Sequence, residues 1–83
     1  MKTLKDLNAG ERCVIKKILT RGSMHRRFID IGLIENTIVE CVGESPAGDP
    51  KAYLIRGAVI AIRSEDCADI LISSYDGGDT VWD

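Results

Sequence analysis

The chain has 83 residues, of which 45% are hydrophobic and 5% aromatic, and its formal net charge at pH 7 is −2. A chain of this length allows one domain with one small core, which here must be mainly aliphatic. The low net charge gives no field that would attract nucleic acid or an anionic membrane. An odd count of three cysteines without a close pair argues against a disulfide framework. No apolar run has the form of a signal peptide or the length of a membrane span, and we therefore expect a cytoplasmic protein.

The first part of the chain predicts a helical turn followed by a strand. Leu4 and Leu7 are three residues apart, so a helical turn places both on the core. Residues 11–19 have the alternation of a strand, with Cys13 and Ile15 on the same face. We expect that face to be buried.

A short helix is predicted after this strand. Met24, Phe28 and Ile31 recur at helical spacing, and they therefore share one face that we expect to pack on the core. Ser23 is positioned to cap the N-terminus of the helix through its hydroxyl group. Gly32 suits the left-handed residue that ends a helix.

The rest of the chain predicts four more strands separated by turns. These are residues 37–44, 51–56, 58–63 and 70–72. Asn36 offers a turn before the first of them, and the two prolines of residues 45–50 require a loop after it. Gly57 indicates a tight hairpin. Ser64, followed by two acids, resembles the capped start of a helical turn.

Five short strands with one inserted helix indicate a fold class. We predict a mainly β protein, an SH3-like small barrel of about five strands with a short helix between strands 1 and 2. An OB-like barrel is the alternative, although it usually has longer strands. We expect one domain over residues 1–72 and an acidic, mobile C-terminal tail over residues 73–83.

No arrangement of catalytic or cofactor-binding residues is visible in the sequence. The single histidine, His25, lies beside two arginines and lacks a recognisable partner for proton transfer. Cys13, Cys41 and Cys67 do not have metal-binding spacing, and each fits a small core position. We therefore expect no enzymatic activity, no metal site and no cofactor, with the cysteines buried and reduced.

A cluster of basic side chains occupies twelve consecutive residues: Lys16, Lys17, Arg21, His25, Arg26 and Arg27. Three interpretations remain open, namely a solvated helix face, a nucleic-acid site and a docking patch for an acidic protein. Nucleic-acid sites usually add aromatic stacking platforms and net positive charge. Only Phe28 lies near this cluster, and its spacing places it in the core.

Four stretches, in this order along the chain, carry a family resemblance. They are Leu4 to Gly10, Arg-Arg-Phe-Ile-Asp-Ile-Gly-Leu from Arg26 to Leu33, Pro-Ala-Gly-Asp-Pro from Pro46 to Pro50, and Gly57 to Arg63 with Glu65-Asp66-Cys67 following. Together they resemble the signatures of the ferrous iron transport protein A (FeoA) family over roughly residues 3–72. The acidic C-terminal tail lies outside the family pattern.

The resemblance implies a small cytoplasmic SH3-like accessory protein of ferrous iron uptake. Its expected partner is the ferrous iron permease that carries a cytosolic GTP-binding domain, which it would bind and regulate, so that it becomes peripheral to the membrane through that partner. No nucleic-acid partner is expected. Two alternatives remain: the SH3-like regulatory module of iron-dependent repressors, and a nucleic-acid-binding small barrel. The absence of a helix-turn-helix before the barrel favours the free-standing accessory.

Candidate site residues fall into two groups. The residues expected to bind the partner are Arg26, Arg27, Lys16, Lys17 and Asp49. The residues of the structural motif are Phe28, Asp30, Gly32, Leu33, Pro46, Gly48, Pro50 and Gly57. Arg26 or Arg27 could act as an arginine finger for the GTP-binding domain, or be a solvated helix residue. Asp30 could pair with Arg26 or accept backbone amides, and Asp49 could fold onto backbone amides.

Overall fold

The computed structural model describes residues 2–75 of the chain. In this part a 3₁₀ turn, five strands and two helices follow one another. Their bounds are the 3₁₀ turn Leu4–Asp6, β1 Arg12–Ile18, α1 Gly22–Asp30, β2 Ile38–Glu44, β3 Lys51–Ile55, β4 Ala58–Ile62, α2 Ser64–Cys67 and β5 Ile70–Ser74. No helix in this part is long and apolar enough to cross a bilayer.

All five strands belong to one antiparallel sheet with the order β4-β3-β2-β1-β5. The pairing register shifts between Ile15 and Lys17 in β1, and between Cys41 and Gly43 in β2. Such irregularities bend strands and increase their twist, so the sheet curls around a single core. The predicted mainly β fold, with five strands and a helix between the first two, is confirmed.

The core is aliphatic around one tyrosine, Tyr53. Fourteen apolar residues are buried: Leu4, Leu7, Cys13, Ile15, Phe28, Leu33, Val39, Cys41, Tyr53, Ile55, Ile62, Cys67, Ile70 and Ile72. The predicted inward positions of the 3₁₀ turn, the first strand and the helix are therefore confirmed. Met24 and Ile31 are partly buried and pack against this core beside Phe28.

The start of α1 differs from the prediction. The helix begins at Gly22 and the residue before it, Arg21, provides no side-chain cap. Ser23 consequently lies inside the first turn, where its hydroxyl is not in the capping position, and the prediction of a Ser23 cap is wrong. The glycine at position 22 has a φ of +70°, which lets the chain turn into the helix two residues earlier than a Ser23 cap would place its start.

The end of α1 agrees with the prediction. Gly32 has a φ of +88°, and the amide of Leu33 donates to the carbonyl oxygen of Phe28 at 2.9 Å. Asn36 also has a positive φ, +72°, so the predicted turn before β2 is confirmed. The hydroxyl of Thr37 then donates to the carbonyl oxygen of Gly32 at 3.3 Å, which ties the helix end to the start of the strand.

Strand β5 is longer than predicted. It continues through Ser73 and Ser74, which pair with Val14 and Cys13 of β1. These two serines therefore belong to the sheet. The remainder of the predicted mobile tail, residues 76–83, lies outside the described residues.

Candidate partner-binding surfaces

Asp49 lies in the loop between β2 and β3, and its carboxylate reaches the start of α2. The backbone amide of Ser64 donates to Oδ1 at 2.8 Å, and the hydroxyl of Ser64 donates to Oδ2 at 3.1 Å. A carboxylate at this position satisfies a first-turn amide of α2. Asp49 therefore caps α2 although it lies in a different part of the chain. Ser64 was predicted to be the capping residue, but it is the residue that is capped.

The basic residues expected to bind a partner do not converge on one point. Arg26 and Arg27 are neighbours on α1, but Arg26 lines a cavity with His25 whereas Arg27 lines a groove with Phe28. Lys16 and Lys17 are exposed in β1. The only ion pair within residues 2–75 joins two other residues, Arg12 and Glu40, at 3.3 Å. The charges of these four bases are thus unpaired in this part of the chain.

A groove of about 580 Å³ lies between α1 and β4, and we name it the α1–β4 groove. Its apolar lining comes from Met24, Phe28, Ile31, Ile60, Ala61 and Ile62. Charged residues of both signs complete the lining: Arg27, Arg63, Glu65 and Asp66. An apolar depression with a polar rim is the form that small-domain interaction sites take.

The opposite side of α1 carries a second depression, which we name the His25 cavity. It consists of two adjoining volumes of about 360 and 310 Å³ that share His25 and Ile29. Ile18 and Ile34 complete the apolar lining, and Gly22, Arg26, Asp30 and Glu35 line the remainder. Nδ1 of His25 is buried and has no hydrogen-bond partner among the described residues.

The glycines and prolines of the structural motif lie at turns. Gly48 has a φ of +85° in the loop that contains Pro46 and Pro50, and its amide donates to the carbonyl oxygen of Ser45 at 2.8 Å. Gly57 has a φ of +86° and follows Arg56, whose φ is +48°. Positive φ at two successive residues is the geometry of a two-residue hairpin turn, so the predicted β3–β4 hairpin is confirmed.

Three other motif residues, Gly32, Leu33 and Asp30, differ in their burial and contacts. The carbonyl oxygen of Gly32 accepts a hydrogen bond from Nε of Arg56 at 3.0 Å, and a Cβ at Gly32 would lie 2.5 Å from Cδ of Arg56. Leu33 is fully buried. Asp30 is exposed, and its carboxylate makes no hydrogen bond or ion pair within residues 2–75, so neither expected role is seen there.

The three cysteines are buried and unpaired, as predicted. Sγ of Cys67 donates to the hydroxyl of Tyr53 at 3.4 Å, and that hydroxyl donates to the carbonyl oxygen of Leu4 at 3.3 Å. Burial raises the pKa of the Cys13 thiol to about 11. Burial also raises the pKa values of Cys67 and Tyr53. Among the described residues, no group of three or more histidine, cysteine or acidic side chains could hold a metal ion.

Neither depression could be found by motif analysis. Ile60, Ala61 and Arg63 come near α1 only because the sheet curls, and Ile34 and Glu35 meet His25 only because the chain reverses at Gly32. The available signal was the interrupted alternation of β4, in which Val59 and Ala61 are apolar yet exposed. Apolar residues on an exposed strand face indicate an interaction surface.

Comparison with known proteins gives a consistent result. The model of the FeoA domain family matches residues 2–74. A protein of Porphyromonas gingivalis, "Fe(2+) transport protein A/Fe(2+) transporter FeoB fusion protein", is 32% identical over 74 residues, which is 86% of this chain and 9% of that protein. The chain thus spans less than a tenth of the length of that curated relative.

Solved structures share the fold. The solution structure of FeoA protein from Chlorobium tepidum is 24% identical, with a TM-score of 0.85 over 99% of this chain and 81% of that one. Stenotrophomonas maltophilia FeoA complexed with zinc, described as an SH3 domain protein, is 18% identical, with a TM-score of 0.77 over 88% of this chain and 91% of that one.

The order of the strands, the helix inserted after the first strand and these likenesses define a small SH3-like β domain. The family match over residues 2–74 then identifies it further: the chain belongs to the FeoA domain family.

Proposed function

We propose that this protein is an accessory component of ferrous iron transport that binds and regulates the iron permease through its cytosolic GTP-binding domain. The observation that carries the proposal is the fusion protein of Porphyromonas gingivalis, in which a segment similar to this chain is joined to the FeoB transporter. Fusion keeps two modules at a high effective concentration, which is an advantage when they work in contact.

The described surface supports a binding module. Depressions with apolar lining flank α1 on both sides, and Arg27 lines one of them while Arg26 lines the other. Arg26, Arg27, Lys16 and Lys17 are the residues that we propose to contact the permease. Asp49 contributes indirectly in this proposal, because its carboxylate caps α2, whose first turn carries the acids of the α1–β4 groove.

Titration of the permease's cytosolic domain with the full chain tests binding. Calorimetry in the GTP-bound, GDP-bound and nucleotide-free states should show association in at least one state, and no association in any of them would refute the proposal. GTP turnover by the domain, measured with and without this protein, tests regulation separately. An unchanged turnover rate at saturating concentration would remove the arginine-finger role of Arg26 or Arg27 while leaving assembly intact.

A further inference from the structure

The two edges of the sheet differ in what lies beside them. Beside β5, Thr3 forms an antiparallel bridge with Leu71, and the amide of Ile72 donates to the carbonyl oxygen of Lys2 at 3.0 Å. Beside β4, the only backbone hydrogen bonds within residues 2–75 are those to β3. The outer edge of β4 is therefore the open edge of the sheet in this part of the chain.

Strand β4 lacks the features that usually protect an open edge. Its sequence, Ala-Val-Ile-Ala-Ile over Ala58–Ile62, contains no charged residue and no proline. It pairs with β3 at five consecutive positions without a register shift, so no bulge interrupts it. Val59 is 63% exposed. Edge strands normally carry a charge, a proline or a bulge, because an unprotected edge pairs readily with another strand.

The unpaired backbone groups of this edge belong to two residues. The two-residue hairpin turn makes Ile55 and Ala58 the hydrogen-bonded pair that closes it. Hydrogen-bonded pairs alternate along an antiparallel ladder, so the amides and carbonyls of Val59 and Ala61 point away from β3. Neither residue has a backbone hydrogen bond to any other segment among the described residues.

We propose that two copies of this chain associate through β4, with the two strands antiparallel and a two-fold axis at Ile60. In this register Ile60 lies opposite Ile60 of the second copy, and Val59 lies opposite Ala61 of the second copy. Each of the two Val59–Ala61 pairs exchanges both of its backbone hydrogen bonds, which uses the unpaired groups of the edge. The five strands of each copy thereby join into one continuous sheet. This inference does not depend on the permease.

The charges at the two ends of β4 favour a second copy as the occupant. Arg56 precedes the strand, whereas Glu65 and Asp66 follow it in α2. None of the three forms an ion pair within residues 2–75. Antiparallel pairing brings the hairpin end of each strand to the α2 end of the other, so the base of each copy lies near the acids of its partner. The edge is thus complementary to itself, as a two-fold interface requires.

Sedimentation equilibrium of the full chain between about 10 μM and 1 mM tests the association, since this range suits a small interface. The average mass should rise with concentration from 9.1 kDa toward twice that value. Val59→Lys places a charge at the edge and should weaken association at least about tenfold. Ala61→Pro removes an outward amide and should have a similar effect. Ile38→Lys is the matched control, because it makes the same change at a 46% exposed position of an inner strand, and it should associate as the wild type does.

Disulfide formation tests the register. Ile60→Cys should link two copies under mild oxidation, because directly opposed residues that are not hydrogen-bonded have Cα atoms about 4.5 Å apart, within the reach of a disulfide. Val59→Cys is the control. Position 59 is more exposed, but it lies two residues out of register with itself in the second copy, so linkage should be about tenfold slower or more. The three native cysteines are buried in both variants' parent structure.

Several results would overturn the inference. A mass that stays at 9.1 kDa throughout the concentration range refutes it. Association of Val59→Lys at wild-type strength places the contact elsewhere on the surface, and faster linkage through Val59→Cys than through Ile60→Cys excludes the two-fold axis at Ile60. If the wild type is monomeric and Val59→Lys instead weakens binding to the permease's cytosolic domain, the edge pairs with an extended segment of the permease. Because none of the association measurements includes the permease, their failure leaves the proposed function standing.

Discussion

Replacement of Gly32 by valine should be one of the most damaging single changes in this fold. Two independent physical effects act at this position. The φ of +88° is a conformation that β-branched residues avoid, and the new Cβ would lie 2.5 Å from Cδ of Arg56. Arg56 must then move, and the hydrogen bond from its Nε to the carbonyl oxygen of Gly32 at 3.0 Å is lost.

The magnitude follows from adding the two effects. Backbone strain of this kind costs about 1–3 kcal/mol, and the lost, solvent-exposed hydrogen bond costs about 0.5–1.5 kcal/mol. We therefore expect Gly32→Val to lower the free energy of unfolding by roughly 1.5–4.5 kcal/mol, a large fraction of the stability of a small domain. Urea denaturation followed by far-ultraviolet circular dichroism measures this quantity.

A double-mutant cycle separates the two effects. In an Arg56→Ala background, Gly32→Val should cost only the strain, so the cycle should show about 0.5–1.5 kcal/mol less destabilisation than the sum of the single changes. Gly48→Val is the matched control: its φ is +85°, but nothing lies within 4 Å of its Cβ position, so its cost should be independent of Arg56. An additive cycle at Gly32, or a cost below about 0.5 kcal/mol, would refute this account.

Four further predictions concern the core and α2. Phe28→Ala should lower the free energy of unfolding by about 3–5 kcal/mol in urea denaturation, because the side chain is only 3% exposed. A loss below about 1 kcal/mol would contradict the place of Phe28 in the core. Asp49→Ala should cost about 0.5–2 kcal/mol through the lost cap on Ser64, with Asp49→Asn costing less; equal costs would exclude the cap. Native Cys13 and Cys41 should react with a thiol reagent no faster than the protein unfolds, and rapid labelling would show that they are accessible. Because the pKa of Cys13 rises from 9.0 to about 11 on folding, the unfolded thiol ionises first, and the free energy of unfolding should fall by up to about 2–3 kcal/mol between pH 9 and 11; a flat profile would contradict this.

The helix, strands and turns were predicted well because residue type and short-range spacing determine them. Alternation and β-branched residues located the strands, and Phe28 showed the buried side of α1 through its spacing. Gly32, Asn36 and Gly57 were correctly expected to have positive φ, since turns and helix ends select for residues that tolerate it. The prediction of a Ser23 cap failed because a neighbouring glycine allowed the helix to begin two residues earlier, a difference that spacing cannot resolve.

Contacts between distant parts of the chain were not predictable in the same way. Asp49 was expected to accept backbone amides of its own turn or to contact a partner. Instead its carboxylate caps α2 at Ser64, fifteen residues away. Arg56 was predicted only to end a strand. In the structure its Nε also donates a hydrogen bond to the carbonyl oxygen of Gly32. Such partners depend on how the strands align and where the register shifts, and these features follow from the whole sheet.

Residue type and spacing are enough to predict a small, mainly β domain with an aliphatic core and an FeoA-type succession of motifs. Which side of α1 each arginine occupies, and which apolar residues remain exposed beside it, depends on the folded chain. Successive residues on a helix point about 100° apart, so Arg26 and Arg27 must diverge. Only the position of α1 in the folded chain determines which of the two lines the α1–β4 groove and which lines the cavity around His25.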